Sequence, residues 1–139
     1  MKYVIVSTLS EMNKLEEIRK IVNNIKSQET SFYLNEMQKG TVVPVAVIID
    51  DEIIGGVYIS CSMSSLFIEN IFVQKDYQGR GIASSLINYV IKNKSIFEEH
   101  FERKFTLSKL EPNSDSIISF YRKLGYSEPN ELNVMKRSA

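Results

Sequence analysis

LFIENIFVQKDYQGRGIASSLINYVI, residues 66–91, changes its hydrophobic period part way along. Leu66 to Val73 is rich in apolar and β-favouring residues, with serines before it and Gln74-Lys75-Asp76 after it, and reads as a strand. From Ile82 onward the apolar residues fall at helical spacing: Ile82, Leu86, Tyr89 and Val90 on one stripe, with Ala83, Ile87 and Ile91 beside it. Between the two lies Gln78-Gly79-Arg80-Gly81-Ile82-Ala83. Glycines there permit positive φ and let a ligand approach the backbone with no Cβ in the way. A helix opening at such a turn presents unpaired N–H donors and about +0.5 charge from its dipole, and Arg80 adds a full positive charge. The combination predicts an anion site, with phosphate the best-matched anion. The plain alternative is a helix that merely starts at a tight turn. The dinucleotide fingerprint fits poorly, because Ser84 stands where its third small residue belongs and five residues separate Val73 from Gly79. No Gly-Lys-Ser/Thr follows, so a Walker-type loop is absent.

Working outward toward the N-terminus, Ser60 to Ser65 is a polar turn leading into the strand, and Val42–Ile49 with Ile53–Ser60 forms a hairpin around Asp50-Asp51-Glu52. Pro44 is expected at an edge or a strand start, since it cannot donate to a ladder. Gly55-Gly56 predicts a bulge or a close backbone contact. Tyr3–Ser7 is a short strand. Thr8 and Glu11 can form a capping box, after which Leu15, Ile18, Val22 and Ile25 follow helical spacing, with Glu16 and Lys20 as an i,i+4 pair on the wet side. Thr30 or Ser31 opens a second helix carrying Phe32, Tyr33, Leu34 and Met37, ended by Gly40.

On the other side, Asn93–Arg103 is a charged connection containing the sole histidine, His100. Lys104–Leu110 alternates Phe105 and Leu107 with polar residues and reads as a strand. Asn113 or Ser114 caps a helix with Ile117, Phe120, Tyr121 and Leu124 on one face, and Gly125 lies just beyond its end. Tyr126–Ser127 and Glu131–Lys136 read as a last hairpin around Pro129-Asn130. The expected order is β-α-α-β-β-β-α-β-α-β-β, a mixed α/β fold, with residues 1–139 as one domain.

Composition narrows the function classes. Seventeen basic and seventeen acidic residues give zero formal net charge, which argues against a broad nucleic-acid or anionic-membrane footprint. One cysteine, Cys61, excludes an intrachain disulfide and fits a reducing compartment. No apolar run is long enough for a signal sequence or a bilayer span, so the cytoplasm is the expected location. One histidine without partnered cysteines cannot build a metal site, and Cys61 has no histidine in a recognisable pairing that would make it a nucleophile.

The pattern Gln78-x-x-Gly81-x-Ala83 after the fourth strand resembles the pyrophosphate loop of the GNAT acetyltransferase superfamily: Gln or Arg, two residues, Gly, one residue, Gly or Ala. About forty residues on, Phe120-Tyr121-Arg122-Lys123-Leu124-Gly125-Tyr126 resembles the family's FYxKxGF segment, and Asp51-Glu52-Ile53-Ile54-Gly55 resembles its second hairpin. There is one departure. Where many members carry Asn-x-x-Ala before the tyrosine, this chain has Ser114-Asp115-Ser116-Ile117, with Asn113 one place early.

What the resemblance implies is acetyl transfer from acetyl-coenzyme A to a primary amine by direct attack, in a fold whose central strands splay around the coenzyme. Gln78, Gly79, Arg80, Gly81, Ile82, Ala83 and Ser84 would hold the pyrophosphate, and Asn113 would contact the coenzyme. Ile71, Phe72 and Val73 would pair with the pantetheine arm, the Val73 amide donating toward the thioester oxygen. Tyr121 matches the tyrosine facing the coenzyme sulfur, although its place on an apolar stripe also suits a core residue. Glu69 is the best-placed carboxylate for a general base, although an acid on a strand is commonly a solvated group. The acceptor would be a small-molecule or protein amine, and a homodimer is among the assemblies such proteins form. Two other readings are a catalytically silent coenzyme A-binding regulatory module and an unrelated phosphate-ligand binder.

Overall fold

The computed structural model describes residues 1–26 and 31–139. Six strands form one mixed sheet in sequential order: β1 (Lys2–Ile5), β2 (Val43–Ile49), β3 (Glu52–Ser62), β4 (Ser65–Val73), β5 (Leu107–Leu110) and β6 (Met135–Ser138). Every neighbouring pair is antiparallel except β4 and β5. A parallel pair needs a long crossover, and here α3 (Ile82–Lys92) and α4 (Lys94–Phe101) supply it. With α1 (Leu9–Val22), α2 (Phe32–Lys39) and α5 (Ile118–Lys123), this is the mixed α/β fold expected from the sequence.

Alternation along the strands divides the core into two layers. Val45, Val47, Val57, Ile59, Leu66 and Ile68 pack with Leu86, Ile87 and Val90 of α3 and with Phe97 of α4. On the opposite face Ala46, Tyr58 and Phe72 meet Met12, Leu15 and Ile18 of α1, with Tyr33, Leu34 and Met37 of α2 at the margin. Each fully buried Leu, Ile or Phe contributes roughly 1.5–3 kcal/mol, so β4, buried from both sides at Leu66, Ile68, Phe72 and Val73, is firmly placed. No helix among the described residues is long and apolar enough to cross a membrane.

Local signals account for most element ends. The Thr8 Oγ1 accepts the Glu11 N–H at 3.2 Å, which caps α1 as expected, while the Glu11 carboxylate accepts from the Thr8 hydroxyl at 2.8 Å, where a full capping box would use the backbone N–H. Of the two residues expected to open α2, Thr30 lies outside the described residues; Ser31 caps it, accepting the Leu34 N–H at 3.2 Å. Asp50 and Asp51 take φ of 51° and 64°, the pairing a tight hairpin turn requires. The bulge expected at Gly55-Gly56 falls at Ile54, where the register shifts. The close approach is also present, since a Cβ on Gly55 would stand 2.5 Å from the Phe72 carbonyl oxygen.

Elsewhere tertiary packing overrules local expectation. The charged connection at 93–103 contains α4, whose Phe97 is fully buried. β5 is shorter than expected and of opposite parity: Ser108 and Leu110 point inward, while Phe105 packs just before the strand. Ser60–Ser65 is not a loop, because β3 and β4 extend to Ser62 and Ser65 and turn at Met63, with φ 53°. The final hairpin reduces to β6 alone. The Asn130 Oδ1 accepts the Leu132 and Val134 N–H groups at 2.9 and 3.0 Å, diverting donors a ladder would use. Its first arm keeps one backbone bond, from Ser127 N–H to Lys136 C=O. Glu16, expected on the wet face of α1, is buried and hydrogen-bonded to Arg19, Ser31 and Tyr58.

Candidate active site

The site begins with a mismatch in strand length. β5 pairs with β4 only from Ser65/Leu107 to Ile68/Leu110, whereas β4 stays paired with β3 as far as Val73. Beyond Ile68 the far edge of β4 therefore opens onto a gap. The Gln74 N–H donates to the Ile54 carbonyl at 2.8 Å, which makes Gly55 and Val73 a facing pair without mutual hydrogen bonds. By alternation the N–H groups of Val73 and Ile71 point away from β3, into the gap. Where the ladder shifts between Tyr58 and Ile59, Glu69 is the extra residue, a bulge on β4.

Past β4, a short 3₁₀ turn at Lys75–Tyr77 leads into the glycine loop. The Gln78 side-chain amide donates to the Val73 carbonyl at 2.9 Å, tying the loop to the strand end. Gly79 and Gly81 both need glycine, with φ of 79° and 77° and open space where a Cβ would stand. The first bond into α3 runs from Ser85 N–H to Gly81 C=O at 3.0 Å. The N–H groups of Ile82, Ala83 and Ser84 therefore lack intrahelical acceptors, and no side chain caps the helix. The Arg80 guanidinium lies over the Tyr77 ring, 5.1 Å from its centroid. This cradle of amides, fringed by one cation, fits a diphosphate.

The gap and the cradle share a cavity of about 390 Å³, whose lining includes Ile71, Phe72, Val73, Gln78, Gly79, Gly81, Ile82, Ala83, Ser84 and Tyr121. Ten of the thirteen residues singled out from sequence thus meet in one place. Arg80 stands at its rim, linked through Tyr77, which lines the cavity together with Val22, Ile117 and Phe120. Sequence reasoning did not place these four there. Phe120 and Ile117 share a helical stripe with Tyr121 and could have been inferred from it. Tyr121 is 6% exposed, and burial, with Tyr126 nearby, pushes its phenol up to about 12. It stays a proton-bearing hydrogen-bond donor across the neutral range.

Glu69 and Asn113 line a second cavity of about 450 Å³ with Ser60, Cys61, Ser62, Phe67, Glu111 and Pro112. The structure thus separates Asn113 from the glycine loop, because the chain leaves β5 on the Glu69 side before turning into the Asp115–Ile117 3₁₀ helix. Glu69 is solvent-exposed and accepts a hydrogen bond from Ser60 Oγ at 2.8 Å. His100 is also exposed, with Nε2 2.9 Å from the Gly40 carbonyl, and lines neither cavity. Cys61 is half-buried at the end of β3.

Comparison with known proteins places this geometry in context. Residues 41–128 match the family model described as an acetyltransferase (GNAT) domain. No curated protein sequence matches the chain. Among solved structures, an aminoglycoside 6'-N-acetyltransferase complexed with coenzyme A is similar at 16% identity, over 99% of this chain and 97% of that one, with a TM-score of 0.73. A GNAT family acetyltransferase from Elizabethkingia anophelis with acetyl-CoA bound is similar at 14% identity, over 99% and 97%, with a TM-score of 0.73. The PaiA N-acetyltransferase from Thermoplasma acidophilum in complex with coenzyme A follows at 15% identity, over the full length of both chains, with a TM-score of 0.66. At these identities the likeness is one of fold.

Proposed function

Since the chain belongs to the GNAT acetyltransferase family, we propose that residues 1–139 act as a single domain that moves an acetyl group from acetyl-coenzyme A to a primary amine. The observation that carries this reading is the one cavity in which the amide cradle, the gap-facing edge of β4 and Tyr121 converge. Acetyl-coenzyme A, as co-substrate, supplies the acetyl group as a thioester. Gly79, Gly81, Ile82, Ala83 and Ser84 hold its diphosphate through backbone amides, with Arg80 adding charge at the rim. Val73 pairs with the pantetheine arm. Ile71, two residues farther from the loop and nearer the bulge, places its N–H at the thioester carbonyl, a role the motif alone would give to Val73. One such preorganised donor is worth roughly 2.7–4 kcal/mol in the transition state. Holding amine and thioester together supplies most of the rest.

The amine nitrogen bonds to the carbonyl carbon as the carbon–sulfur bond breaks, and the electron pair leaves with sulfur. Tyr121 hydrogen-bonds that sulfur. With a phenol near 12 and a parent thiol near 8.5, outright proton transfer is uphill by roughly 5 kcal/mol, so Tyr121 stabilises the thiolate as a donor and keeps its proton. Glu69, on the other side of the gap, takes the amine proton directly or through water. An alkyl amine near pKa 10.4 is almost wholly protonated at neutral pH, and this step is where help is most needed. The setting is cytoplasmic and the acceptor a small-molecule or protein amine, with no metal and no nucleic acid.

Titration with acetyl-coenzyme A by calorimetry, then a thiol-release assay over an amine panel, tests the proposal. Binding with turnover supports it. Binding without turnover of any amine favours a silent coenzyme-binding module, and absence of binding contradicts both.

A further inference from the structure

Two carboxylates leave the sheet side by side where the gap begins. Ile68 and Leu110 are the last partners of the parallel β4–β5 pair, and both side chains pack in the core layer beneath α3. Side chains alternate along a strand, so Glu69 and Glu111, the next residue on each, turn to the opposite face. Paired strands run about 4.8 Å apart, which brings these two residues together just before β4 and β5 part. Both line the second cavity, of about 450 Å³, where Phe67 and Pro112 supply apolar surface.

Neither charge is neutralised by a neighbour. Glu69 accepts one hydrogen bond, from Ser60 Oγ at 2.8 Å, and among the described residues neither carboxylate joins an ion pair. The described residues lining the cavity include no lysine, arginine or histidine. Lys109 shares this face of β5 beside Phe67, yet it does not line the cavity. Like charges on neighbouring strands repel and destabilise the fold. What they provide is a cleft of one sign, which draws cations from solution and concentrates them. The acetyl transfer described above employs only one of the pair. Glu69 takes the proton of the attacking amine, and Glu111 is left over. An acceptor with a single nitrogen gives it nothing to hold.

We propose that Glu111 is a specificity-determining residue that holds a second ammonium group of the acceptor in the second cavity, so that the protein selects diamines and polyamines over monoamines. The attacked nitrogen stands at Glu69 beside the gap. The second ammonium donates to the Glu111 carboxylate, and the carbon chain between the two lies along Phe67 and Pro112. The inference rests on the acetyl-transfer reading, in which Glu69 marks the acceptor side, and adds to it the class of amine.

The test uses the full chain and its Glu111→Gln variant, with putrescine and cadaverine set against butylamine and pentylamine, the monoamines of equal chain length. Glu111 is exposed, so the substitution leaves the core untouched. In the wild type, each diamine is expected to show a KM about three- to tenfold below that of its monoamine, between the effects of an exposed ion pair and a charge-assisted hydrogen bond. Glu111→Gln should erase that difference by raising the diamine KM alone, with the monoamine KM and the calorimetric Kd for acetyl-coenzyme A unchanged. Added salt should weaken the wild-type preference and have little to weaken in the variant. Glu111→Lys should reverse the preference toward the monoamine. Equal KM values for diamine and monoamine in the wild type, a preference that survives Glu111→Gln, or turnover of other amines but no diamine overturns this inference and leaves the acetyl-transfer reading standing. A wild-type chain that binds the coenzyme and acetylates no amine overturns both.

Discussion

On the α3 side of β4, the donors that open onto the cavity are mostly backbone amides drawn from one continuous stretch, residues 71–84, with Tyr121 added from α5. On the α1–α2 side the polar groups are side chains from separate segments: Glu69 and Asn70 at the bulge, Tyr33 from α2, and Arg19 and Glu16 behind it on α1. An amide cradle tolerates almost any side chain that leaves the backbone free, so its weak points are its glycines. A side-chain wall can be retuned one residue at a time, but it depends on distant packing to hold each group in place. The two faces of one strand therefore fail in different ways when altered, and that contrast can be pressed experimentally.

The largest effect is expected on the side-chain face. Glu16→Ala strands the Arg19 guanidinium and the Tyr58 hydroxyl in the core, and breaking a buried pair in this way costs about 3–5 kcal/mol. Urea denaturation should show that loss, a large share of the roughly 5–15 kcal/mol typical of a domain. Next comes Gly81→Val. A β-branched residue at φ 77° is strained and thrusts methyl groups into the cradle. Coenzyme affinity should fall about 100-fold by calorimetry, against only a few-fold for Arg80→Ala, whose side chain stands at the rim. Equal losses for the two would erase the contrast, making the cradle a side-chain site after all.

Tyr121→Phe is the exception on the coenzyme face, a single side chain with a chemical role. Its kcat should drop at least several-fold in steady-state assays while the coenzyme Kd barely moves; an unaltered kcat removes the assignment. The smallest effect concerns acid. Glu16 is held below its usual range in the fold, so its contribution to stability is fully present above about pH 4.3, the unfolded value. It is lost as pH falls through the lower folded value. The stability difference between wild type and Glu16→Gln should accordingly shrink below about pH 4, as thermal melts across the acid-to-neutral range can show.

The same contrast explains what could be read from the chain. The cradle was legible because every part of it is local: Gly79 and Gly81 in the turn, the helical stripe from Ile82, and Gln78 within reach of Val73. Tyr121 was legible through its flanking Phe120 and Gly125. The other face depends on contacts between residues far apart in sequence. Nothing near Glu16 announces that Ser31 and Tyr58 will enclose it, and its i,i+4 spacing to Lys20 points the wrong way. The position of the bulge at Glu69 is set by how β3 and β4 meet across the register shift. Asn113 looked close to the coenzyme because it stands near the tyrosine motif in sequence, while the turn after β5 carries it to the second cavity. Helix α4 was within reach of the sequence, since Phe97 and Phe101 stand at helical spacing amid the charges.

A crystal structure with acetyl-coenzyme A bound tests the central claim most directly. Diphosphate density is expected against the amides of Gly79 to Ser84, with a pantetheine arm along Ile71–Val73 that brings the acetyl group to the gap beside the bulge. A coenzyme seated in the second cavity, or bound with its diphosphate away from the α3 N-terminus, would contradict it.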